Sequence, residues 1–96
     1  MVEAESFMLN IINLYNMANF AEIDKEGKVL RIIVIANSEL LVDGVEDEQK
    51  GIEFCKKLLG EKTNWVQTSY NAKFRKKYAI IGDFYDKQKD EFITIE

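Results

Sequence analysis

The run Ile32-Ile33-Val34-Ile35-Ala36 is the longest apolar stretch in the chain, and it constrains the fold more than any other feature. Its residues are mostly β-branched, and such side chains lose rotamer freedom on a helix but pack well on a pleated sheet. Together with Lys28, Val29 and Leu30 it predicts a strand over 28–36, interrupted only by Arg31. The near-continuous apolar character predicts that this strand is central and covered on both faces. The run falls well short of the ~18 residues that would span a bilayer.

The flanking segments supply partners for that strand. Asn19–Asp24 reads as a strand, and Lys25-Glu26-Gly27 as a short loop with glycine where φ > 0 is needed, giving a β-hairpin. The connection 37–44 has room for a short strand through Leu40 to Val42. A helix follows, with Asp43 and Glu46 at capping-box spacing and Asp47 as the alternative cap. Ile52, Cys55 and Leu59, beside Phe54 and Leu58, form its apolar stripe. Lys56 and Lys57 suit the negative end of the helix dipole, and Gly60 can close the helix. Gly51 costs about 1 kcal/mol relative to alanine inside a helix, which predicts a close approach to the sheet at that point.

Trp65–Tyr70 alternates as a strand does, 71–76 is a basic loop, and Lys77–Tyr85 reads as a further strand. Asp86–Asp90 is a polar turn leading to a last strand over Glu91–Ile95. At the other end, Phe7, Ile11, Leu14 and Tyr15 lie at helical spacing. They predict a helical extension over 1–16, packed on the core or on another subunit. The expected architecture is α+β: a mostly antiparallel sheet of roughly five strands, one central helix packed on it, and the N-terminal extension. Residues 17–96 form the single α+β domain.

Composition narrows the function. The chain has 96 residues and no proline, and 47% of it is hydrophobic, ample for one packed core. Histidine is absent, which removes most zinc sites, the Ser-His and Cys-His nucleophile pairs and the usual acid/base near neutral pH. Cys55 is the only cysteine, so no intrachain disulfide can form; on the core stripe it reads as an inert hydrophobe. A net charge of -4 disfavours general nucleic-acid binding. Glu3 and Glu5, with no basic residue in 1–16, do not make a secretory signal. The expectation is a protein that is neither secreted nor membrane-embedded.

Four features carry functional hints. Lys73-Phe74-Arg75-Lys76-Lys77-Tyr78 interleaves cations with aromatics, as single-strand binders do, and Trp65 and Tyr70 lie near it in sequence. A solvated loop whose charges offset the acidic helix start at 43–48 is the plainer reading, and it is preferred. Asp83, Asp86 and Asp90 lack the alternate-residue spacing and closing glutamate of an EF-hand, and Asp86 and Asp90 read as turn residues. Cys55 has no histidine to activate it. In Gln67-Thr68-Ser69-Tyr70-Asn71, Ser69 or Tyr70 with Lys73 offers a nucleophile and base, and local capping of a strand end is preferred. The residues assigned to an interaction surface are Trp65, Gln67, Ser69, Tyr70, Asn71, Lys73, Arg75, Lys76 and Lys77. No catalytic residue, metal or cofactor is expected.

Several blocks in this order resemble one family. They are Met17-Ala18-Asn19-Phe20-Ala21-Glu22-Ile23-Asp24, Leu41-Val42-Asp43-Gly44-Val45-Glu46 and Gly51-Ile52-Glu53-Phe54-Cys55. Trp65-Val66-Gln67-Thr68-Ser69-Tyr70-Asn71, Tyr78-Ala79-Ile80-Ile81-Gly82-Asp83-Phe84-Tyr85-Asp86 and Asp90-Glu91-Phe92-Ile93 complete the set. Over 17–95 the chain resembles a family of small proteins of unknown function from marine tailed phages, cyanophage-type myoviruses above all. The resemblance implies a phage origin, with a virion-associated or accessory role in the virion or the host cytoplasm, and transfers no catalytic residue. Residues 1–16 precede the matched blocks, and the proline-rich, tryptophan-bearing tail of many relatives has no counterpart here.

The function expected from all of this is a non-enzymatic interaction module that binds a protein partner or itself. Opposite-charge poles at 43–48 and 73–77 offer one way for copies to meet. The alternatives are a single-strand nucleic-acid-binding accessory protein and a small-ligand-binding domain using 67–71.

Overall fold

A computed structural model describes residues 17–95; the expected N-terminal helix lies outside them. β1 (Met17–Ile23) and β2 (Val29–Ala36) form the expected antiparallel hairpin. Asp24 organises its turn, its carboxylate accepting from the N–H groups of Glu26 and Lys28. At Gly27, with φ of 96°, an added Cβ would lie 2.8 Å from the Tyr85 carbonyl oxygen, so both the conformation and the close contact demand glycine.

A short 3-10 helix (Asn37–Leu40) leads into the tight hairpin of β3 (Leu41–Val42) and β4 (Val45–Glu46). Its two-residue turn is Asp43-Gly44, both at positive φ, the pattern that matches strand twist. Asp43 is therefore not the helix cap. Asp47 is, its carboxylate accepting from the Gln49 N–H, and α1 (Glu48–Leu59) starts there. Gly60 ends it as expected, but at φ 130° and ψ 138°, a region open in practice to glycine alone rather than the left-handed helical one. β5 (Asn64–Thr68), β6 (Phe84–Asp86) and β7 (Glu91–Ile93) complete the chain.

The fold is α+β with antiparallel pairing throughout. The main sheet has the order β2-β1-β5, and β3-β4 and β6-β7 are separate two-stranded ribbons. Successive residues of β1 serve opposite layers. Ala18 and Phe20 join Ile35, Leu40, Cys55 and Trp65 beneath α1, with Ile33, Ile52, Phe54 and Leu59 at the margin. Ala21 joins Val29, Val66, Ala79 and Phe92 on the other side, with Ile23, Ile32 and Tyr85. The sheet is thus the middle of three layers, with the helix on one face and the C-terminal segment with its ribbon on the other. Fully burying a side chain such as Phe20 or Phe92 contributes about 2–3 kcal/mol.

Two expectations are corrected here. The strand covered on both faces is β1, in which Ala18 through Ala21 are all buried. β2 is an edge strand with Leu30 and Val34 exposed, so its apolar run did not mean central burial. The second concerns 77–85, of which only the last residues enter a strand. Residues 77–83 instead cross the sheet, and their backbone is satisfied by side chains. The Ala79 N–H donates to the buried Thr68 hydroxyl at 2.8 Å, and the Ile80 N–H to the Asp83 carboxylate at 3.0 Å. A turn over Ile80–Asp83, with Gly82 at φ 95°, then returns the chain to the start of β2. The predicted approach of Gly51 to the sheet is present: its missing Cβ would meet the Phe20 ring at 2.3 Å.

Candidate interaction surface

The basic segment 73–77 is where the three layers are tied together. Arg75, its side chain 16% exposed, donates through Nε to Asp90 at 2.7 Å and through Nη1 to Glu48 at 2.8 Å and to the Gln67 carbonyl at 2.9 Å. Its guanidinium also lies over the rings of Phe74 and Tyr85. The planar fork of arginine spreads its donors over separate nitrogens and so serves acceptors on opposite sides, where a lysine has one nitrogen to offer. Burial works against the Arg75 charge, but the hydrogen bonds with Glu48 and Asp90 outweigh it and raise the pKa above the ordinary arginine value. Ala72, Arg75 and Lys76 all have positive φ, and each costs roughly 1–2 kcal/mol that these contacts must offset.

Glu48 completes the arrangement. Its Oε2 accepts from Arg75 and also from the Gln67 N–H, at 2.8 Å in each case. One residue of β5 therefore has both outward backbone groups occupied by a mutually bonded Glu–Arg pair, where an edge strand would otherwise present them to a neighbouring chain. Glu48 and Arg75, one member of each charged pole, thus meet inside a single chain.

A second polar cluster anchors the crossing segment. Asp83, 1% exposed, accepts from Lys77 Nζ at 2.8 Å, from Thr94 Oγ1 at 2.9 Å and from the Ile80 N–H. Lys77 Nζ also bonds the Thr94 hydroxyl. Burial alone would raise the Asp83 carboxyl, but the hydrogen bonds from Lys77, Ile80 and Thr94 prevail and hold it below the usual carboxylate range. Asp90 is held low by its bonds from Tyr85 and Arg75. Burial pushes the Cys55 thiol up to about 11, so it is neutral and unreactive near pH 7.

The assigned surface residues divide accordingly. Trp65 is buried under α1 with its indole N–H on Thr63, and Gln67 takes part through its backbone. Arg75 and Lys77 are engaged as above. The Ser69 hydroxyl accepts from the Lys73 N–H, which closes the loop rather than pairing with the lysine amine. Tyr70, Asn71, Lys73 and Lys76 are exposed; Tyr70 packs edge-on to Tyr78, and Lys76 lies 3.9 Å from Glu91.

Apolar side chains are exposed elsewhere as well. On β2, Leu30 is 45% and Val34 54% exposed, and beside them the turn residues Ile80 and Ile81 are 49% and 70% exposed. The Val29 N–H donates to the Asp83 carbonyl, and the Val29 carbonyl accepts from Gly82, so turn and strand are contiguous. Beyond Val29, no strand among the described residues pairs with the outer side of β2. Sequence reasoning missed this edge because exposed and buried strands share the same β-branched signature. The β3-β4 ribbon is exposed too, with Leu41 at 40%, Val42 at 43% and Val45 at 69%.

Among the described residues no group of three acidic or cysteine side chains is placed to hold a metal ion, and no helix is long and apolar enough to cross a membrane. No protein-family profile, curated protein or solved structure matches the chain.

Proposed function

We propose that this protein is a non-enzymatic interaction module that engages a protein partner through the outer edge of β2 and the adjoining Ile80-Ile81 turn. The observation that carries the reading is the contrast between the two edges of the main sheet. β5 has its outward groups at Gln67 taken up by Glu48 and Arg75, whereas β2 presents Leu30 and Val34 beside an open edge. An extended partner adding a strand gains main-chain hydrogen bonds there and covers apolar side chains. The polar groups that would have to be available for chemistry support the same reading, since Arg75, Lys77, Asp83 and Asp90 are committed to one another's bonds and Cys55 is buried. The resemblance to small tailed-phage proteins supplies the setting, a virion or an accessory complex in the infected cell.

A photoreactive amino acid placed at Val34 tests it, with Lys57 as an exposed control position. In infected-cell extracts, protein adducts should form from position 34 and not from position 57. Adducts of equal yield from both, or none from 34, overturn the reading.

One observation favours a second reading. Tyr70 is 76% exposed, the most exposed large apolar side chain among the described residues, with Phe74, Lys73 and Lys76 near it in the chain. Aromatic stacking with cations suits single-stranded nucleic acid. It ranks second because Arg75 and Lys77 are already engaged within the chain. A gel shift with single-stranded DNA at two salt concentrations decides it, since such binding must weaken as salt rises.

A further inference from the structure

We infer that the partner at the β2 edge is a second copy of this chain, joined by antiparallel β2–β2 pairing about a two-fold axis into one continuous six-stranded sheet. The inference rests on the interaction reading above and adds the identity of the partner.

Three features of the edge strands lead to it. First, the open edge is self-complementary. In an antiparallel pair related by a two-fold axis perpendicular to the sheet, directly opposed residues share a face, so their numbers sum to an even value. Centring the axis on Ile33 opposes Ile32 to Val34 and Arg31 to Ile35 of the second copy, and centring it on Val34 opposes Ile33 to Ile35 and Ile32 to Ala36. The register centred on Val34 sets only apolar side chains together over 32–36, the one centred on Ile33 also sets Arg31 against Ile35, and neither opposes Arg31 to itself. Arg31 is in addition paired with Glu22 of its own chain at 2.5 Å.

Second, the edge lacks the features that usually discourage self-pairing. Val29–Ala36 contains no proline, lysine or acidic residue. Its one irregularity, the register shift opposite Glu22 and Ile23, lies at the end already occupied by Gly82 and Asp83. The stretch Arg31–Ala36, about 20 Å long at a strand rise of ~3.3 Å per residue, is left regular.

Third, the geometry limits assembly to two. Stacking β2 of one copy on β5 of the next would propagate an open filament, but the Gln67 backbone on that edge is occupied by Glu48 and Arg75. Among the described residues each chain therefore has one open edge and one that is blocked at Gln67. Pairing open to open consumes both and leaves the blocked edges at the ends of the six-stranded sheet. A two-fold dimer is what those edges permit.

Analytical ultracentrifugation of the full chain tests the inference, with Val34→Lys as the probe and Val45→Lys as a still more exposed control on the β3-β4 ribbon. The wild type should sediment at twice 11.2 kDa. Val34→Lys places like charges close to the axis without disturbing the core, and should weaken the dimer by about a hundredfold or more with an unchanged far-UV spectrum. Val45→Lys should leave the mass as it is. A monomeric wild type overturns the dimer, including the case where another protein or residues 1–16 cover the edge. A dimer that survives Val34→Lys, or that Val45→Lys dissociates, overturns it too. Photo-adducts at position 34 to a different protein would leave the interaction reading standing while this inference failed.

Discussion

Gly51 occupies a point where helix propensity and packing demand opposite things. In a solvated helix, replacing glycine by alanine gains roughly 1 kcal/mol. Here the new methyl would lie 2.3 and 2.9 Å from two atoms of the Phe20 ring and 3.0 Å from Leu40, all in the core. Phe20 is fully buried on the central strand and cannot move aside, so overpacking outweighs propensity. Gly51→Ala is expected to destabilise the fold by about 1–3 kcal/mol, read from the shift of a urea unfolding midpoint; a stabilised variant would show that helix and sheet are further apart. A second test at this scale concerns Cys55, one helical turn along the same face. Its thiol is buried and raised to about 11, so Ellman's reagent should leave the native protein unmodified at pH 7.5 and titrate one thiol per chain in 6 M guanidinium.

Between elements, Arg75 has the widest reach, since α1, β5 and the β6-β7 turn all bond to its guanidinium. Arg75→Lys keeps the charge but offers a single ammonium on a flexible stem, and cannot reach Asp90, Glu48 and the Gln67 carbonyl together. The variant should lose about 2 kcal/mol, near that of Arg75→Met, because Glu48 and Gln67 are left short of a donor. Asp90→Ala should cost less, its carboxylate being exposed at 59%. Amide exchange at Gln67 should quicken in both Arg75 variants; unchanged exchange there would mean Glu48 alone holds the edge. How much of this was legible in the sequence depends on the range of the interaction. The β1-β2 hairpin, a helix closed by Gly60 and its approach to the sheet at Gly51 follow from local patterns and were expected, whereas the helix start fell to the alternative cap, Asp47. The crossing of 77–83 was not, because its strand-like alternation is overridden by the Thr68 hydroxyl and the Asp83 carboxylate, which meet that backbone only in the fold. The basic loop shows the same limit. Its composition predicts an open surface, but Glu48, 27 residues earlier, takes its central arginine.

At the scale of the whole molecule, the carboxylates that join the layers set the acid limit of stability. Asp83 and Asp90 both have folded-state pKa values below the ordinary carboxylate range, as does Asp24 in the hairpin turn, where the Lys28 backbone N–H is the main cause. For a group whose folded pKa is depressed, the unfolded chain binds a proton more readily than the folded one. Its contribution is complete above the unfolded value of about 3.9, and is lost as pH falls through the folded value. Asp83 dominates because it is fully buried, whereas Asp24 and Asp90 face water and contribute little. The wild type should hold a constant urea midpoint from pH 7 down to about 5 and lose stability steadily below it. Asp83→Asn removes the anion while keeping a side chain that can bond Ile80 and Thr94, and leaves Lys77 without its carboxylate. It should be weaker than wild type at pH 7 by about 2 kcal/mol, with a flatter dependence below pH 5, so that the two curves converge in acid. Parallel curves over that range would place the acid sensitivity in other groups, and would remove the Lys77–Asp83 pair as the bond that fixes the C-terminal layer to the sheet.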